Sequence, residues 1–246
     1  MTYFGIYLSN RKICGKGGYT NPSGEFTDIS AFRTITETVI SPSAQKENKP
    51  PRSFSVSESI VKKTSISAAL ELDDEGCEKI IVLNFANAMC RGGAYFLGGN
   101  AQEESLCRAS LLHHSLKEAK GYYGYNRIRL TPLYSDRMIF SENVPIIRDE
   151  SGKLLDKPVP CSFITSPAVN HRIARFICTQ SRIDRVMDER IRKIILLLAE
   201  KKPDAAVLGA FSCGMFGNKR EKIYPLFEKY IGMYTDEKFR IVFAEP

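Results

Sequence analysis

Two adjacent glutamates, Glu103 and Glu104, follow Gln102 directly behind a glycine-rich stretch, Cys90-Arg-Gly-Gly-Ala-Tyr-Phe-Leu-Gly-Gly-Asn100. Gly92, Gly93, Gly98 and Gly99 permit positive φ and let a ligand approach bare backbone N–H groups. A helix beginning just after such a loop adds unpaired N–H groups and the positive end of its dipole, which suits a phosphate. Carboxylates beside a phosphate site are out of place for binding alone and point to chemistry. Consecutive helical residues project roughly 100° apart, so the two glutamates take different roles. Burial and a neighbouring carboxylate raise a glutamate's proton affinity, while a helix N-terminus lowers it. Where the raising effects win, a neutral glutamate protonates a leaving oxygen near neutral pH. A plainer reading of the same residues is a solvated helix start in which Glu104 pairs with Arg108 one turn on.

The elements that must position these residues are legible on either side. Residues 80–86, Ile-Ile-Val-Leu-Asn-Phe-Ala, form an apolar run bounded by glycine and read as a central strand. A second strand–glycine–helix junction comes later. The strand at 205–209 leads into Ala210-Phe-Ser-Cys-Gly-Met-Phe-Gly-Asn218 and then a helix through Ile223, Leu226, Phe227 and Tyr230. Ligands of parallel sheets bind at the carboxyl ends of strands. Two amide-rich loops from two such ends clamp a diphosphate from both sides, which one helix terminus cannot do.

The rest of the chain alternates strands and helices. Residues 1–29, with Gly5, Gly15, Gly17, Gly18, Pro22 and Gly24, read as an irregular N-terminal arm ahead of a single domain over 30–246. Ser30 caps a helix carrying Phe32, Ile35 and Val39, and 41–51 is a proline-rich loop. The alternation at 53–57 is a strand, 59–72 a helix, and with 80–86 they make a β-α-β unit. Leu106, Ala109, Leu112, His113 and Leu116 extend one helix over 101–117. Adjacent His113 and His114 diverge on it and belong to its ordinary surface. Two β-like runs, 137–140 and 144–147, flank the turn-like Ser141-Glu-Asn143 as a hairpin. A turn over 149–153, a strand over 161–165, a long helix over 183–198 stopped by Pro203, and a last strand over 240–244 complete an α/β layered fold with a largely parallel sheet.

Residues 84–108 resemble the signature of the microbial-type poly(ADP-ribose) glycohydrolases, a branch of the macrodomain-like ADP-ribose-binding proteins. That signature joins an Asn-Phe-Ala-Asn strand end, a Pro-Gly-Gly-Gly loop and Gln-Glu-Glu. Here Asn84–Asn87 and Gln102–Glu104 stand intact, while Arg91-Gly92-Gly93-Ala94 replaces the glycine loop. The Ala94 methyl narrows the approach and disfavours positive φ. Ser212-Cys213-Gly214-Met215-Phe216-Gly217 is similar to the family's second loop, with Ser212 and Met215 as departures, and Ser166-Pro-Ala-Val-Asn170 resembles another strand end. The resemblance spans about 30–231. It implies a three-layer α/β/α macrodomain-like fold with a central mixed, largely parallel sheet.

The same resemblance implies hydrolysis of the ribose–ribose O-glycosidic bond of poly(ADP-ribose), releasing ADP-ribose and requiring no cofactor or metal. Glu104 is then the catalytic acid and Glu103 holds a ribose hydroxyl at the scissile linkage. Gln102 orients the carboxylates, Asn87 holds the distal ribose, and Phe216 packs on that sugar or the diphosphate. The diphosphate lies between Gly92, Gly93 and Ala94 on one side and Ser212, Cys213, Gly214, Met215 and Gly217 on the other. Two other activities remain open: a reader that binds ADP-ribose without cleaving it, and a hydrolase of mono-ADP-ribose on protein or nucleic acid.

Composition agrees with a sizeable core and an anionic partner. The chain has 246 residues, 43% of them hydrophobic, and a formal net charge of +7, which favours polyanions in a general way. The charge is spread out, and no block alternates base with aromatic as a nucleic-acid motif would. No apolar segment approaches the ~20 residues a bilayer requires. The first residues lack a basic start and a cleavage site. Seven cysteines without CxxC spacing indicate reduced thiols in a cytoplasmic compartment, with Cys90, Cys107 and Cys213 as small buried apolar side chains.

Overall fold

A computed structural model describes residues 2–42, 51–236 and 238–246. Its first element is helix α1 (Tyr3–Lys16), which Thr2 caps by accepting the Gly5 N–H and which Gly17 ends at φ 69°. Strands β1 (Gly18–Thr20) and β2 (Phe26–Asp28) then make a small antiparallel hairpin. The stretch expected to be irregular is therefore ordered. Its helix is hard to see because Tyr3, Phe4 and Leu8 are exposed and the buried face includes a polar residue, Asn10.

The helix expected at 30–39 is instead strand β3 (Ile35–Val39), paired antiparallel with residues 138–142. Ser30 caps no helix, since its N–H and hydroxyl both donate to the Asp28 carboxylate. Thr36 and Thr38 put their hydroxyls on Ser115 Oγ and Lys120 O. The operative period is two, as β-branched residues favour. The loop expected over 41–51 falls mostly on residues 43–50, outside the described residues.

No strand forms at 53–57, where serines 55, 57 and 59 bond to one another and to local backbone. The strand comes later, as β4 (Ile60–Val61), followed by α2 (Ser65–Asp74) with Thr64 as its cap. β5 (Ile80–Ala86) is as expected, buried on both faces apart from Phe85. The helix expected over 101–117 is broken into α3 (Gln102–Ala109) and α4 (Leu112–Ser115). Ser110 breaks it, giving its hydroxyl to Leu106 O and pairing its backbone with Ile146.

After α5 (Tyr123–Arg129), the expected hairpin is one strand, β6 (Met138–Arg148). Asn143, at φ 56°, marks a bulge with a register shift between Ser141 and Val144. An asparagine in the left-handed region serves a bulge as readily as a turn. β7 (Leu154–Pro167), α6 (His171–Ala174), α7 (Gln180–Lys201), β8 (Ala205–Leu208), α8 (Arg220–Tyr234) and β9 (Arg240–Ala244) follow.

The main sheet runs β3-β6-β7-β5-β8-β9-β4. From β7 to β4 neighbouring strands are parallel, and β6 is antiparallel to both β3 and β7. The β4–α2–β5 unit exists, but β8 and β9 lie between its two strands. Alternate residues of β5 face opposite layers. Ile80 and Val82 join a core with α2, α3 and α4, while Ile81 and Leu83 join one with α7 and α8. The result is a three-layer α/β/α arrangement around a mixed, mostly parallel sheet. Among the described residues no helix is long and apolar enough to cross a membrane.

Candidate active site

β5 pairs with β7 as far as Ala86 but with β8 only as far as Val82. Where β8 departs, Gln102 takes its place. Its Oε1 accepts the Phe85 N–H at 2.9 Å, and its Nε2 donates to Leu83 O at 2.8 Å and to Ser65 Oγ at 3.2 Å. A side-chain amide thus continues the ladder, satisfies β5 backbone groups that would otherwise be orphaned, and fixes the first turn of α3.

That turn buries Glu103 and Glu104 at 3% and 6% exposure. Glu103 Oε2 accepts the Asn87 N–H at 2.8 Å, and Oε1 lies 3.5 Å from Asn84 Nδ2, which also donates to Thr165 Oγ1. Burial pushes the Glu103 carboxyl up to about 8, with the Asn87 N–H opposing and the Glu104 charge reinforcing the rise. Glu104 Oε1 accepts the Ala94 N–H at 2.9 Å, and its Oε2 is buried without a partner among the described residues. Arg108 turns away from Glu104, donating to Gly99 O and Asn100 Oδ1, with its guanidinium 4.1 Å from the Tyr3 ring.

The glycines of this first loop serve the carboxylates. A Cβ on Gly93, at φ +56°, would fall 2.3 Å from Glu104 Oε1, and one on Gly99 would fall 2.9 Å from Ala94 Cβ. The Gly93, Gly98 and Gly99 N–H groups bond within the loop, and that of Gly92 supports Glu103. Ala94 sits at φ −95°, so its methyl causes no backbone strain. Bare amides expected to face a ligand are thus turned inward, and Gly92, Gly93 and Ala94 lie outside the lining of the cavity that Glu103 and Glu104 border.

The second loop is arranged the other way. Cys213, Gly217 and Asn218 N–H groups close its turns. Those of Ser212, Gly214, Met215 and Phe216 donate to no other group among the described hydrogen bonds, and all four residues line the cavity. Ser212 holds φ 61°, anchored by Asn218 Nδ2 at 2.7 Å from its Oγ. Such a position for a non-glycine residue is strained and marks a constrained turn. α8 begins directly behind it, adding the positive end of a helix dipole.

The cavity between the loops measures about 590 Å³, within the ordinary range for a nucleotide-sized ligand. It brings together Asn87, Gln102, Glu103, Glu104, Ser212, Gly214, Met215 and Phe216, and leaves Cys213 and Gly217 out of its lining. Asn87 Oδ1 is occupied by the Met89 and Cys90 N–H groups. Phe216 packs beside Tyr134, ring centroids 6.3 Å apart.

Sequence reasoning missed the supports behind the first loop. Asn10 of α1 donates to the Tyr95 hydroxyl, Cys107 O and Arg108 O, and its Oδ1 accepts from Arg148. His113, expected on an ordinary surface, packs on Tyr95 and Tyr7, and burial lowers its pKa to about 4. Of the cysteines expected to be small buried side chains, Cys107 is buried, Cys213 is half-buried and Cys90 is exposed. No pattern of spacing marks Asn10, whereas Asn84 stands inside the signature and was readable there.

Comparisons with known proteins find the same fold. Residues 9–149 match the family model for the microbial-type PARG catalytic domain, so the likeness reaches into α1, beyond the expected limit at residue 30. The poly(ADP-ribose) glycohydrolase of Thermomonospora curvata is 30% identical with a TM-score of 0.83, over 98% of this chain and 92% of that one. Its complex with the inhibitor ADP-HPD matches at 28% identity and a TM-score of 0.82 over the same shares. The Deinococcus radiodurans glycohydrolase in complex with ADP-ribose is 34% identical with a TM-score of 0.69, over 75% of this chain and 74% of that one. No curated protein matches. With more than half its length inside the family model, the chain belongs to the microbial-type poly(ADP-ribose) glycohydrolase catalytic-domain family.

Proposed function

We propose that this chain, a glycosidase as its family is, hydrolyses the ribose–ribose O-glycosidic bond of poly(ADP-ribose) with Glu104 as general acid. One observation carries the assignment: Glu104 lines the cavity, the Ala94 N–H fixes one of its oxygens, and the other is buried and unpartnered among the described residues. A proton on Glu104 therefore resides on Oε2. It passes to the departing ribose oxygen as the glycosidic C–O bond breaks through an oxocarbenium-like state. Water adds to the anomeric carbon, and its proton returns to the Glu104 carboxylate. The products are ADP-ribose and a chain one unit shorter.

Glu103, held by Asn87 and pushed up to about 8, is mostly protonated at neutral pH. It adds no full charge beside the diphosphate and is placed to meet a ribose hydroxyl. Asn87 spends its Oδ1 on the loop and leaves Nδ2 for the distal ribose. The unpaired amides of Ser212, Gly214, Met215 and Phe216 take the diphosphate, with Phe216 against the sugar. Gly92, Gly93 and Ala94 act through the carboxylates they hold. The seven cysteines are free, which supports a reducing, cytoplasmic setting.

Incubation with poly(ADP-ribose) and identification of products tests this reading. Glu104→Gln keeps ADP-ribose binding and lowers turnover by ~10²-fold or more. Turnover near that of the wild type removes Glu104 from the acid role.

A further inference from the structure

The end of helix α3 depends on a side chain from α1. Cys107 O and Arg108 O belong to its last turn, where no intrahelical N–H reaches, because Leu111 N–H donates to Pro145 O and Leu112 N–H to Ser110 Oγ. Asn10 Nδ2 serves both carbonyls, at 3.3 and 2.9 Å, and also donates to the Tyr95 hydroxyl at 3.1 Å. Arg148 settles which end of the amide faces which way. A guanidinium only donates, and Arg148 Nε lies 3.0 Å from Asn10 Oδ1. Its two Nη atoms donate to Gly152 O and Ser9 Oγ. Asn10, Tyr95 and Arg148 are all buried.

The groups that Asn10 joins meet again at the acid. Tyr95 follows Ala94, whose N–H holds Glu104 Oε1 at 2.9 Å. Tyr7 and His113 pack on the Tyr95 ring, with centroids 5.4 and 5.3 Å away, and the Tyr95 N–H closes on Gly92 O. On the helix side, Glu104 lies one turn before Cys107 and Arg108, about 5 Å along the axis. One amide of α1 thus spans the loop that donates to the carboxylate and the helix that carries it. Asn10 itself lies outside the lining of the cavity between the two loops.

We propose that Asn10 is a positioning residue for Glu104: it holds Tyr95 and the end of α3 in one register, and so sets the separation of the Ala94 N–H from the Glu104 carboxyl group. The proposal rests on the functional reading above and names what aligns its acid. With that separation fixed, the Ala94 N–H occupies Oε1 and the proton stays on Oε2. Slack between loop and helix frees the carboxyl group to turn, and a misplacement of about 1 Å costs on the order of 10²-fold in rate.

Chain-shortening kinetics on poly(ADP-ribose), with ADP-ribose calorimetry and thermal melts of the same full-length proteins, test this. Asn10→Asp keeps an oxygen for Arg148 but has no N–H to give. It lowers kcat about 10- to 100-fold and leaves ADP-ribose affinity within about threefold. Tyr95→Phe, which removes one acceptor and keeps the ring, lowers kcat by about threefold or more. In the Glu104→Gln background Asn10→Asp costs nothing further, since no acid is left to misplace. The same fold-loss in both backgrounds overturns the proposal. So does a lower Tm with kcat unchanged, or a loss of ADP-ribose affinity in step with kcat. Where Asn10→Asp does not fold, Tyr95→Phe decides, and an unchanged kcat there overturns the proposal. If the wild type shortens no polymer, the functional reading falls and this role with it; if it does and the Asn10 variant matches it, only this role falls.

Discussion

The two glycine loops of this molecule look alike in sequence and work in opposite directions. Both leave a parallel strand at the same rim and both lead into a helix. The first spends its N–H groups on Glu103, Glu104 and its own carbonyls. The second leaves the amides of Ser212, Gly214, Met215 and Phe216 unclaimed toward the cavity. A glycine announces close approach to the backbone. What approaches is a protein carboxylate in one loop and, on the proposed function, a phosphate in the other.

Substitutions sharpen that contrast. The largest effect belongs to Glu104→Gln, the ~10²-fold loss of turnover described above. Next comes Gly93→Ala, whose Cβ would sit 2.3 Å from Glu104 Oε1 at φ +56°. Strain of about 1–3 kcal/mol lowers Tm by roughly 3–10 °C, and, on the proposed function, turnover drops about tenfold or more as Glu104 shifts. A variant with unchanged turnover would show that the first loop does not set the position of Glu104.

Third is pH. Glu103 holds its proton more tightly when folded, at about 8, than at its ordinary 4.5. Between those values the folded state carries the extra proton, so stability falls as pH rises through the window and levels off above it. His113 acts oppositely: with its pKa lowered to about 4 from 6.5, it removes stability as pH falls through that range. Denaturant melts of wild type and Glu103→Gln isolate the first effect. Between about pH 5 and pH 8 the wild type loses stability relative to the variant by up to about 1 kcal/mol per pH unit. Parallel profiles would mean that Glu103 is ionised in the folded protein.

The smallest effect is Gly214→Ala in the second loop. A Cβ there meets nothing within 4 Å, so Tm stays within about a degree. ADP-ribose affinity weakens a few-fold by calorimetry as the methyl crowds the diphosphate. A large fall in Tm would make that loop structural like the first.

The contrast was only half legible in the sequence. β5 and β9 were readable as apolar runs within the sheet, and α7 as a long helix whose apolar stripe packs in one core. α1 was not, because a tertiary partner chooses Asn10, a polar residue, for its buried face. β3 was misread because Phe32, Ile35 and Val39 fit a helical spacing while the threonines between them obey a period of two. Asn143 was read as a turn because bulges and turns use the same left-handed asparagine. At the site, Gln102, Glu103 and Glu104 stood out through the family signature. The direction of each amide did not, since it depends on which acceptor the folded chain brings within 3 Å.

Gln102 has one further consequence. Because it grips main-chain atoms of β5, with Ser65 Oγ as a further contact, the first turn of α3 and with it Glu104 inherit their coordinates largely from the peptide backbone. Changes of side chain along that strand that keep its packing therefore leave Glu104 where it is. The glutamine has no such freedom, since glutamate in its place lacks an N–H to give Leu83 O, and asparagine falls one methylene short.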